Sequence, residues 1–512
     1  MKKQSSTKLR TVLRNASLIS AIILGSTHAW AAAPGTWTKL KNLPADSVGT
    51  KLLRTDGSIM VQGYNPGNNW NRLTPTSTGN YVTGTWSAMP SMGIPRLYFA
   101  SHILPNGDVW VLGGEYSGFG LPANWTRTGE KFSISTNTWS PIAPHPESQY
   151  GDVPSMLLDG NKIIAGSLFN PTTFLYDIAT NTWSSAGSKV YTRSDEESWV
   201  KLAGGKVLTY DIFKSVDFAG SYAELYNPAT NTWSSISPSD GSALGSIPAL
   251  SSSALGYEIG ASVRLCDGRI FAIGATGATA LYTPATNTWS AGPSIPGGYK
   301  ADDAPATVMR DCHVMLTAEL GHFIAPTKVF DFNPTANTIT EIVVPAQLAS
   351  QLNTPSYVTR LLVLPSGLVL LSTSSQQLWV YTPGAQVAAS TQLRPLINTV
   401  VPNTSTGIFS LTGLRITGQS AGGSYGDDAE SDQNYPIVSL KNTVTNKTFY
   451  ARTSNWSTTD VGTGTVPVST DFCIMPGTPD GQYKVTVSAA GLLSTNTKLI
   501  DVNPINVPFY CH

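Results

Sequence analysis

Carboxylate and tyrosine side chains recur just ahead of a series of short apolar hairpins in this 512-residue chain. Tyrosine rings can stack on a ligand, while carboxylates accept hydrogen bonds from hydroxyl groups, hold cations or act as acid/base pairs. The set contains no lysine, and its members are Arg96, Tyr98, Phe99, Tyr150, Asp152, Asp195, Glu196, Glu197, Tyr257, Glu258, Asp302, Asp303, Tyr357 and Arg360. We expect ligand-binding residues among Tyr98, Tyr150, Asp195, Glu196, Glu197, Tyr257, Asp302, Asp303 and Tyr357. The alternative is that single acids are solvated or cap turns.

Other groups with catalytic or metal-binding chemistry are sparse. The chain has no CxxC pair and no G-x-S-x-G motif, and His145 is the one loop histidine placed where a base or ligand role is conceivable. The acidic loop at Asp427, Asp428, Glu430 and Asp432 lacks the spacing of an EF-hand. We therefore predict no metal, no cofactor and no assigned catalytic residue.

A repeated phrase indicates which elements position these residues. Tyr-x-x-Ala-Thr-Asn-Thr-Trp-Ser occurs three times, ending its Thr-Trp pair at Trp183, Trp233 and Trp289, with degraded copies at Trp86, Trp139 and Ile339. Successive copies lie 44 to 56 residues apart. A period of about 50 residues is typical of kelch-type β-propeller blades. We interpret the repeated tryptophans as packing between blades.

Seven hairpins precede these phrases, many turning at Asn-Gly or Asp-Gly, as at Asn106-Gly107 and Asp267-Gly268. The seventh hairpin ends near Trp379, and no Thr-Trp strand follows it. Near the start of the chain, Thr36-Trp37 forms a Thr-Trp strand that no hairpin precedes. We predict a seven-bladed propeller over 34–388, closed by the N-terminal strand, because closure removes open sheet edges.

The sequence pattern changes after Gln392. Alternating strands without the Thr-Trp phrase predict an immunoglobulin-like β-sandwich over 394–512, so the whole chain is expected to be all-β. Four cysteines allow three pairings. We favour Cys266–Cys312, which flank equivalent turns of neighbouring repeats, and Cys473–Cys511, which share the C-terminal segment.

Residues 1–31 have the layout of a signal peptide: a basic start, a short apolar run and a cleavage motif at Ala29-Trp30-Ala31. Cleavage removes five basic residues and leaves 27 against 32 acidic ones, a net charge of −5. This balance argues against nucleic acid as a partner. We expect a secreted or periplasmic protein with no membrane span.

The blade count, the N-terminal closure and Arg394-Pro395 leading into a second domain resemble the galactose oxidase-like kelch proteins over nearly the full mature length. The stretch Tyr425–Val438 also looks like secreted bacterial kelch proteins of that superfamily. The resemblance implies one copper on the propeller axis, held by two tyrosines and two histidines, with one tyrosine crosslinked to a cysteine.

The copper ligands of that family do not carry over. The motif Tyr-His before Leu-Leu-Pro-Asp-Gly corresponds here to Tyr357-Val358, and valine offers no donor atom. No cysteine precedes Cys266, so the crosslink near Tyr98 is missing, and the C-terminal segment holds only His512. The sequence therefore favours a non-redox propeller that binds a glycan or a surface partner at an acidic, tyrosine-rich mouth. The alternatives are an enzyme, either a degenerate copper radical oxidase or a carboxylate-based hydrolase or lyase using a pair such as Glu197 and Asp302, and a structural envelope protein.

Overall fold

The computed structural model describes residues 35–236, 247–384, 389–425 and 429–511. The predicted signal peptide, Asp427, Asp428 and His512 lie outside these residues. The regular structure of the described chain is nearly all strand, joined by turns and loops, with two short helices, α1 (Ile212–Asp217) and α2 (Ala346–Gln351), and single 3₁₀ turns at Ser253–Leu255, Pro296–Gly298 and Ser356–Val358. No helix in this part of the chain is long and apolar enough to cross a membrane.

Seven antiparallel sheets form the blades of a propeller: six of them have four strands, and the sheet of blade 6 has six because two strands from the C-terminal part of the chain extend it. The chain begins with β1 (Thr36–Lys39), which belongs to the last blade. Blade 1 consists of β2 (Val48–Leu53), β3 (Ile59–Gly63), β4 (Trp70–Thr74) and β5 (Thr85–Met89). The next strands are β6 (Arg96–Leu97), β7 (Ala100–Ile103), β8 (Val109–Leu112), β9 (Tyr116–Ser117), β10 (Gly129–Ser133) and β11 (Thr138–Pro141); β6 and β9 pair with each other, and the other four form blade 2. Blade 3 consists of β12 (Ser155–Leu158), β13 (Lys162–Ala165), β14 (Phe174–Asp177) and β15 (Thr182–Ser185).

Blades 4 to 7 repeat the same order from the inner to the outer strand. Blade 4 consists of β16 (Val200–Lys201), β17 (Val207–Tyr210), β18 (Ala223–Asn227) and β19 (Thr232–Ser235), and blade 5 of β20 (Ile259–Arg264), β21 (Ile270–Gly274), β22 (Thr279–Thr283) and β23 (Thr288–Ala291). Blade 6 consists of β24 (Ala306–Val308), β25 (Val314–Gly321), β26 (Ile324–Asn333) and β27 (Thr338–Glu341). The chain contributes β28 (Arg360–Val363), β29 (Val369–Ser372) and β30 (Trp379–Thr382) to blade 7.

The predicted closure of the ring by the N-terminal strand is confirmed. β1 pairs antiparallel with β30, with Trp37 opposite Tyr381 and Lys39 opposite Trp379, so it becomes the outer strand of blade 7. The Trp37 and Tyr381 rings lie 4.8 Å apart, and the Trp37 indole donates to the Val343 carbonyl in the connection from blade 6. Pairing of residues from opposite ends of the ring leaves no open edge between blades 7 and 1.

The repeated phrase has a structural role in every intact copy. The hydroxyl groups of Tyr176, Tyr226 and Tyr282 each donate to the Oδ1 atom of the asparagine five residues on, at 2.8 Å. Each of these asparagines has a left-handed backbone, with φ between 54° and 55°, a conformation that asparagine tolerates better than most residues. In the third copy, Tyr282 also packs 5.2 Å from Trp289. The phrase therefore stabilises the outer turn of the blade.

The C-terminal residues form a separate curled sheet around its own core, which includes Phe409, Val438 and Tyr483. Halfway along β36 (Thr448–Ser454), the strand changes its partner from β35 (Ile437–Asn442) to β37 (Pro467–Cys473), so the two halves of the curled sheet are continuous. The immunoglobulin-like assignment and the domain limits remain predictions. The strands are β31 (Leu396–Asn403), β32 (Ile408–Leu414), β35 (Ile437–Asn442), β36 (Thr448–Ser454), β37 (Pro467–Cys473), β38 (Gly481–Ala489), β39 (Leu492–Leu493) and β40 (Lys498–Val502).

Two further features connect distant parts of the chain. A hairpin of β33 (Gly422–Tyr425) and β34 (Ala429–Asp432) leaves the C-terminal domain and extends the sheet of blade 6, where Ser424 pairs with Ala306 of the inner strand. Both predicted disulfides are present: Cys266–Cys312 joins blades 5 and 6, and Cys473–Cys511 joins β37 to the C-terminal residues.

Candidate functional site

The two ends of the propeller differ in what covers them. At one end, turns between first and second strands bond to the C-terminal domain: Asp159 Oδ2 accepts from Thr458 Oγ1 at 2.8 Å, and Asp460 Oδ2 accepts from the Gly204 amide at 2.8 Å. Because antiparallel strands alternate in direction, the connections that lead into the inner strands lie at the opposite end. We call that opposite end the open mouth.

A cavity of about 380 Å³ lies at the open mouth. Connections from all seven blades contribute to its lining, which no single repeat could form alone. The lining residues are Tyr64, Leu97, Tyr98, Glu115, Tyr116, Leu121, Asp152, Glu196, Glu258, Asp303, Phe323 and Tyr357. Tyrosines and carboxylates predominate, as the sequence predicts.

One side of the cavity is an aromatic wall centred on Tyr98. The Tyr98 ring meets the rings of Tyr116 and Tyr357 edge to face, each at 6.0 Å, and its hydroxyl oxygen lies 3.1 Å from that of Tyr64. Phe323 extends the wall through an edge contact with Tyr357 at 5.2 Å. Such edge-to-face packing fixes the rings in place and leaves hydroxyl groups and ring faces for a ligand.

The acidic residues of the lining, namely Glu115, Asp152, Glu196, Glu258 and Asp303, form an acidic wall. One carboxylate oxygen from each of Glu196, Glu258 and Asp303 lies within 4.8 Å of the other two. Burial, and then the neighbouring carboxylates, raise the pKa values of Asp152 and Glu196 well above their usual range. These two groups therefore keep a proton to higher pH than ordinary carboxylic acids do, and in that form they can donate as well as accept hydrogen bonds.

The backbone of several lining residues is unusual. Tyr98, Asp152, Glu196 and Asp303 have φ values of 51°, 55°, 61° and 44°. Left-handed backbone is uncommon for residues other than glycine, and it persists only where the surrounding structure holds it. In blades 2, 3, 4 and 6 the chain thus bends at the same stage, just before the inner strand, and places one side chain in the cavity.

Three of the five predicted acids do not line the cavity, and two of them belong to the Asp195–Glu197 run, where each is paired with a basic residue. Glu197 accepts a hydrogen bond from the fully buried ammonium of Lys189, between blades 3 and 4. Asp195 Oδ2 lies 2.9 Å from Nε of Arg193. Only the middle residue of the Asp195–Glu197 run enters the cavity.

Two predicted tyrosines also lie elsewhere. Tyr150 is fully buried under blade 3, and its hydroxyl donates to the Pro154 carbonyl at 3.3 Å. The Tyr257 hydroxyl donates to Asp217 at 3.0 Å and its ring stacks on Phe213 at 4.4 Å. The residue after Tyr257, which is Glu258, takes the place in the cavity.

Asp302 lies beneath the rim of the cavity and not in its lining. It is fully buried, and its Oδ2 atom lies 2.9 Å from Nδ1 of His322, a half-exposed histidine that the sequence did not single out. Burial and the charge of Asp303 raise the pKa of Asp302 to about 8. His322 and Phe323 form the tip of the long β25–β26 hairpin, which reaches over the mouth. This pair holds the tip against the rim.

Eight lining residues were not among the predicted ligand-binding residues. Leu97, Asp152 and Glu258 precede inner strands, as the predicted residues do, and the other five are Tyr64, Glu115, Tyr116, Leu121 and Phe323. These five lie in the connections between the second and third strands of blades 1, 2 and 6. These connections open on the same end as those leading into the inner strands, because two strand reversals separate them. Strand alternation along the sequence is thus the signal that identifies them.

Comparisons with known proteins support the fold. No family model matches the chain. A stretch of 71 residues is 35% identical to an F-box/kelch-repeat protein of Arabidopsis thaliana, covering 14% of this chain and 20% of that protein. Among solved structures, a copper-bound fungal alcohol oxidase of the AA5 family is similar with a TM-score of 0.50 and 12% identity, covering 92% of this chain and 100% of the oxidase. A streptogramin B lyase is similar with a TM-score of 0.46 and 11% identity, covering 70% of this chain and 100% of the lyase.

The likeness to the alcohol oxidase supports the propeller fold, and the kelch-like similarity is limited to one stretch of 71 residues. The alcohol oxidase was solved in complex with copper, and the donor atoms of the lining residues decide whether copper would fit this cavity. Among the described lining residues the donors are tyrosine hydroxyls and carboxylates, with no histidine or cysteine. Copper favours imidazole and thiolate ligands, whereas carboxylates suit hard cations. The cavity therefore does not fit a copper centre of the oxidase kind.

Proposed function

We propose that this protein is a secreted, non-redox binding protein that holds a glycan, free or on a surface partner, in the cavity at the open mouth. The observation that carries the proposal is that one cavity of about 380 Å³ is lined by both the aromatic wall and the acidic wall. That volume is within the range of small-molecule sites.

A sugar matches both walls. Its apolar ring face can stack on a tyrosine ring, and Tyr357 is a half-buried member of the wall that can offer one. Its hydroxyl groups can donate to the carboxylates of Asp303 and Glu258. Because Glu196 and Asp152 retain protons more readily than ordinary acids, they can donate to sugar oxygens in return.

The proposed location agrees with the disulfides. Cys266–Cys312 and Cys473–Cys511 account for all four cysteines. Disulfides persist in secreted and periplasmic proteins and are rare in reducing compartments. Together with the signal peptide expected at residues 1–31, they support export.

The test is binding of residues 32–512 to a glycan panel, followed by calorimetry on the best ligand. We expect Tyr357→Ala to weaken binding about tenfold or more, because it removes a stacking face. Tyr257→Ala is the matched control, since Tyr257 precedes the inner strand of blade 5 but packs on Phe213. Absence of glycan binding, or equal affinity of wild type and Tyr357→Ala, would refute the proposal.

A second candidate is a carboxylate-based hydrolase or lyase. The observation that favours it is the grouping of Glu196, Glu258 and Asp303 within 4.8 Å, with the pKa of Glu196 raised by burial and by Glu258. A protonated acid beside an ionised one is the arrangement used for general acid/base catalysis. This trio replaces the pair Glu197 and Asp302, because neither of those lines the cavity. Release of reducing ends or unsaturated products from a polysaccharide, lost in Glu258→Gln, would establish this function.

A further inference from the structure

A second cavity, far from the open mouth, contains an excess of positive charge. It has a volume of about 300 Å³ and lies where blade 1 meets the C-terminal domain. Arg54 from the first turn of blade 1, Arg72 from β4 and Arg452 from β36 all line it, and Asp56 is the one acid among its lining residues. We call it the junction cavity. Three guanidinium groups around one lining carboxylate are unexpected in a protein whose net charge without residues 1–31 is −5.

The carboxylate of Asp56 is already engaged. Its Oδ1 atom accepts from the amide and the hydroxyl of Ser58, at 2.9 Å and 2.5 Å, and its Oδ2 atom lies 3.4 Å from Nη1 of Arg54. These contacts lower the pKa of Asp56 in spite of its burial, so it stays ionised. Outside the lining, Asp108 also acts on Arg452. Two negative charges still cannot neutralise three guanidinium groups.

Two of the three arginines, Arg54 and Arg72, have buried donors without a hydrogen-bond partner. Within the described part of the chain, Arg72 makes no side-chain hydrogen bond and no ion pair, although it is only half exposed. The Nε atoms of Arg72 and Arg54 are both buried without a hydrogen-bond partner, and Arg54 as a whole is only 5% exposed. Burying such donors unpaired costs free energy, and so does holding like charges together. A bound anion would relieve both costs.

We propose that the junction cavity binds a tetrahedral oxyanion of the sulfate or phosphate class. Arginine suits this role, because its planar fork of N–H groups matches oxyanion geometry. An adjoining groove of about 350 Å³ shares Asp56, Arg72 and Met475 with the cavity and is edged by hydroxyl-bearing residues such as Thr76. The groove leaves room for a sugar attached to the anion.

The experiment titrates residues 32–512 with sulfate, inorganic phosphate, glucose 6-sulfate and glucose 6-phosphate by calorimetry, at constant ionic strength set with chloride. We expect saturable binding of one anion per chain with a dissociation constant on the order of 1 mM or lower. Tighter binding of the esters than of the free ions would identify a sugar-borne anion as the ligand, and equal binding would identify the free ion. Both results support the site.

Arg72→Gln is the test variant, because it removes a guanidinium group that no described residue bonds, so the fold is expected to persist. We expect it to weaken anion binding at least about tenfold and to abolish the rise in melting temperature that sulfate gives the wild type. Arg127→Gln, which removes the same charge at an exposed site, is the control. Absence of saturable binding, or binding that Arg72→Gln leaves within twofold of wild type, would overturn the proposal.

Discussion

The ammonium Nζ atom of Lys189 lies 3.0 Å from Oδ2 of Asp211, and both side chains are completely buried. Glu197 and Glu224 share the same lysine. One ammonium can balance one carboxylate, so the pKa of Asp211 is lowered by Lys189, while burial raises those of Glu197 and Glu224 to about 8 and about 7. Glu197 is thus part of a structural ion cluster between blades.

This cluster predicts an inverted pH dependence of stability. A glutamic acid in the unfolded chain ionises near pH 4.3, whereas Glu197 in the folded protein keeps its proton to about pH 8. Between these pH values the unfolded state releases a proton that the folded state retains. The free energy of unfolding therefore falls as the pH rises, by up to about 1.4 kcal/mol per pH unit for this group. We expect Glu197→Gln to be more stable than wild type at pH 8 and similar to it near pH 4.

Urea denaturation from pH 4 to pH 8 measures this difference. Asp177→Asn is the control: a hydrogen bond from Thr180 and the bond from Lys162 lower the pKa of Asp177 to about 2. The stabilising effect of a depressed carboxyl pKa is complete above about pH 4 and is lost only as the pH falls through 2. The difference between Asp177→Asn and wild type should stay constant from pH 5 to pH 8. A Glu197→Gln variant that is destabilised equally at every pH would contradict the prediction.

Closure of the ring predicts a large effect from one half-buried tryptophan. Trp37→Ala removes both the packing on Tyr381 and the indole bond to the Val343 carbonyl. We expect a loss of about 2 to 3 kcal/mol in the free energy of unfolding, less than for a fully buried tryptophan. Chemical denaturation measures it. Lys39→Ala, on the same strand but exposed, should change stability by less than about 0.5 kcal/mol.

The disulfide between blades predicts a second effect on stability. Cys266 and Cys312 are 46 residues apart, and chain-entropy reasoning gives a bridge of that span at most about 4 kcal/mol. The double variant Cys266→Ala/Cys312→Ala should therefore lose roughly 2 to 4 kcal/mol of unfolding free energy. A mass-spectrometric disulfide map of the wild type is the companion measurement, and an alternative pairing there would contradict the structure.

The repeated phrase predicts a stability effect without a binding effect. Tyr226→Phe removes the hydroxyl that donates to Asn231 Oδ1 and should cost about 1 kcal/mol. Asn231→Ala should cost more, because it also forces alanine into a left-handed backbone. Thermal unfolding measures both variants. Reduced glycan affinity in Tyr226→Phe with unchanged stability would instead indicate that the phrase contacts ligand.

The amino-acid sequence by itself determined the repeat architecture. The Tyr-Asn-Thr-Trp phrase acts locally, because its tyrosine, its left-handed asparagine and its tryptophan lie in one outer turn. Turn pairs such as Asn106-Gly107 mark the hairpins in the same local way. The unpaired Thr36-Trp37 strand and the missing outer strand after Trp379 together predicted the closure. Both disulfide pairings followed from the position of each cysteine in its repeat or segment.

Only the tertiary structure decided which acids and tyrosines meet. Glu196 lines the cavity while Glu197 binds Lys189, and Asp303 lines it while Asp302 binds His322. At Glu196 and Asp303 the residue that enters the cavity has a left-handed backbone, and neither composition nor spacing reveals that conformation. The junction cavity likewise joins Arg54 to Arg452, nearly 400 residues apart. Contacts between residues so far apart in the sequence depend on how blades and domains pack, and local sequence patterns do not predict that packing.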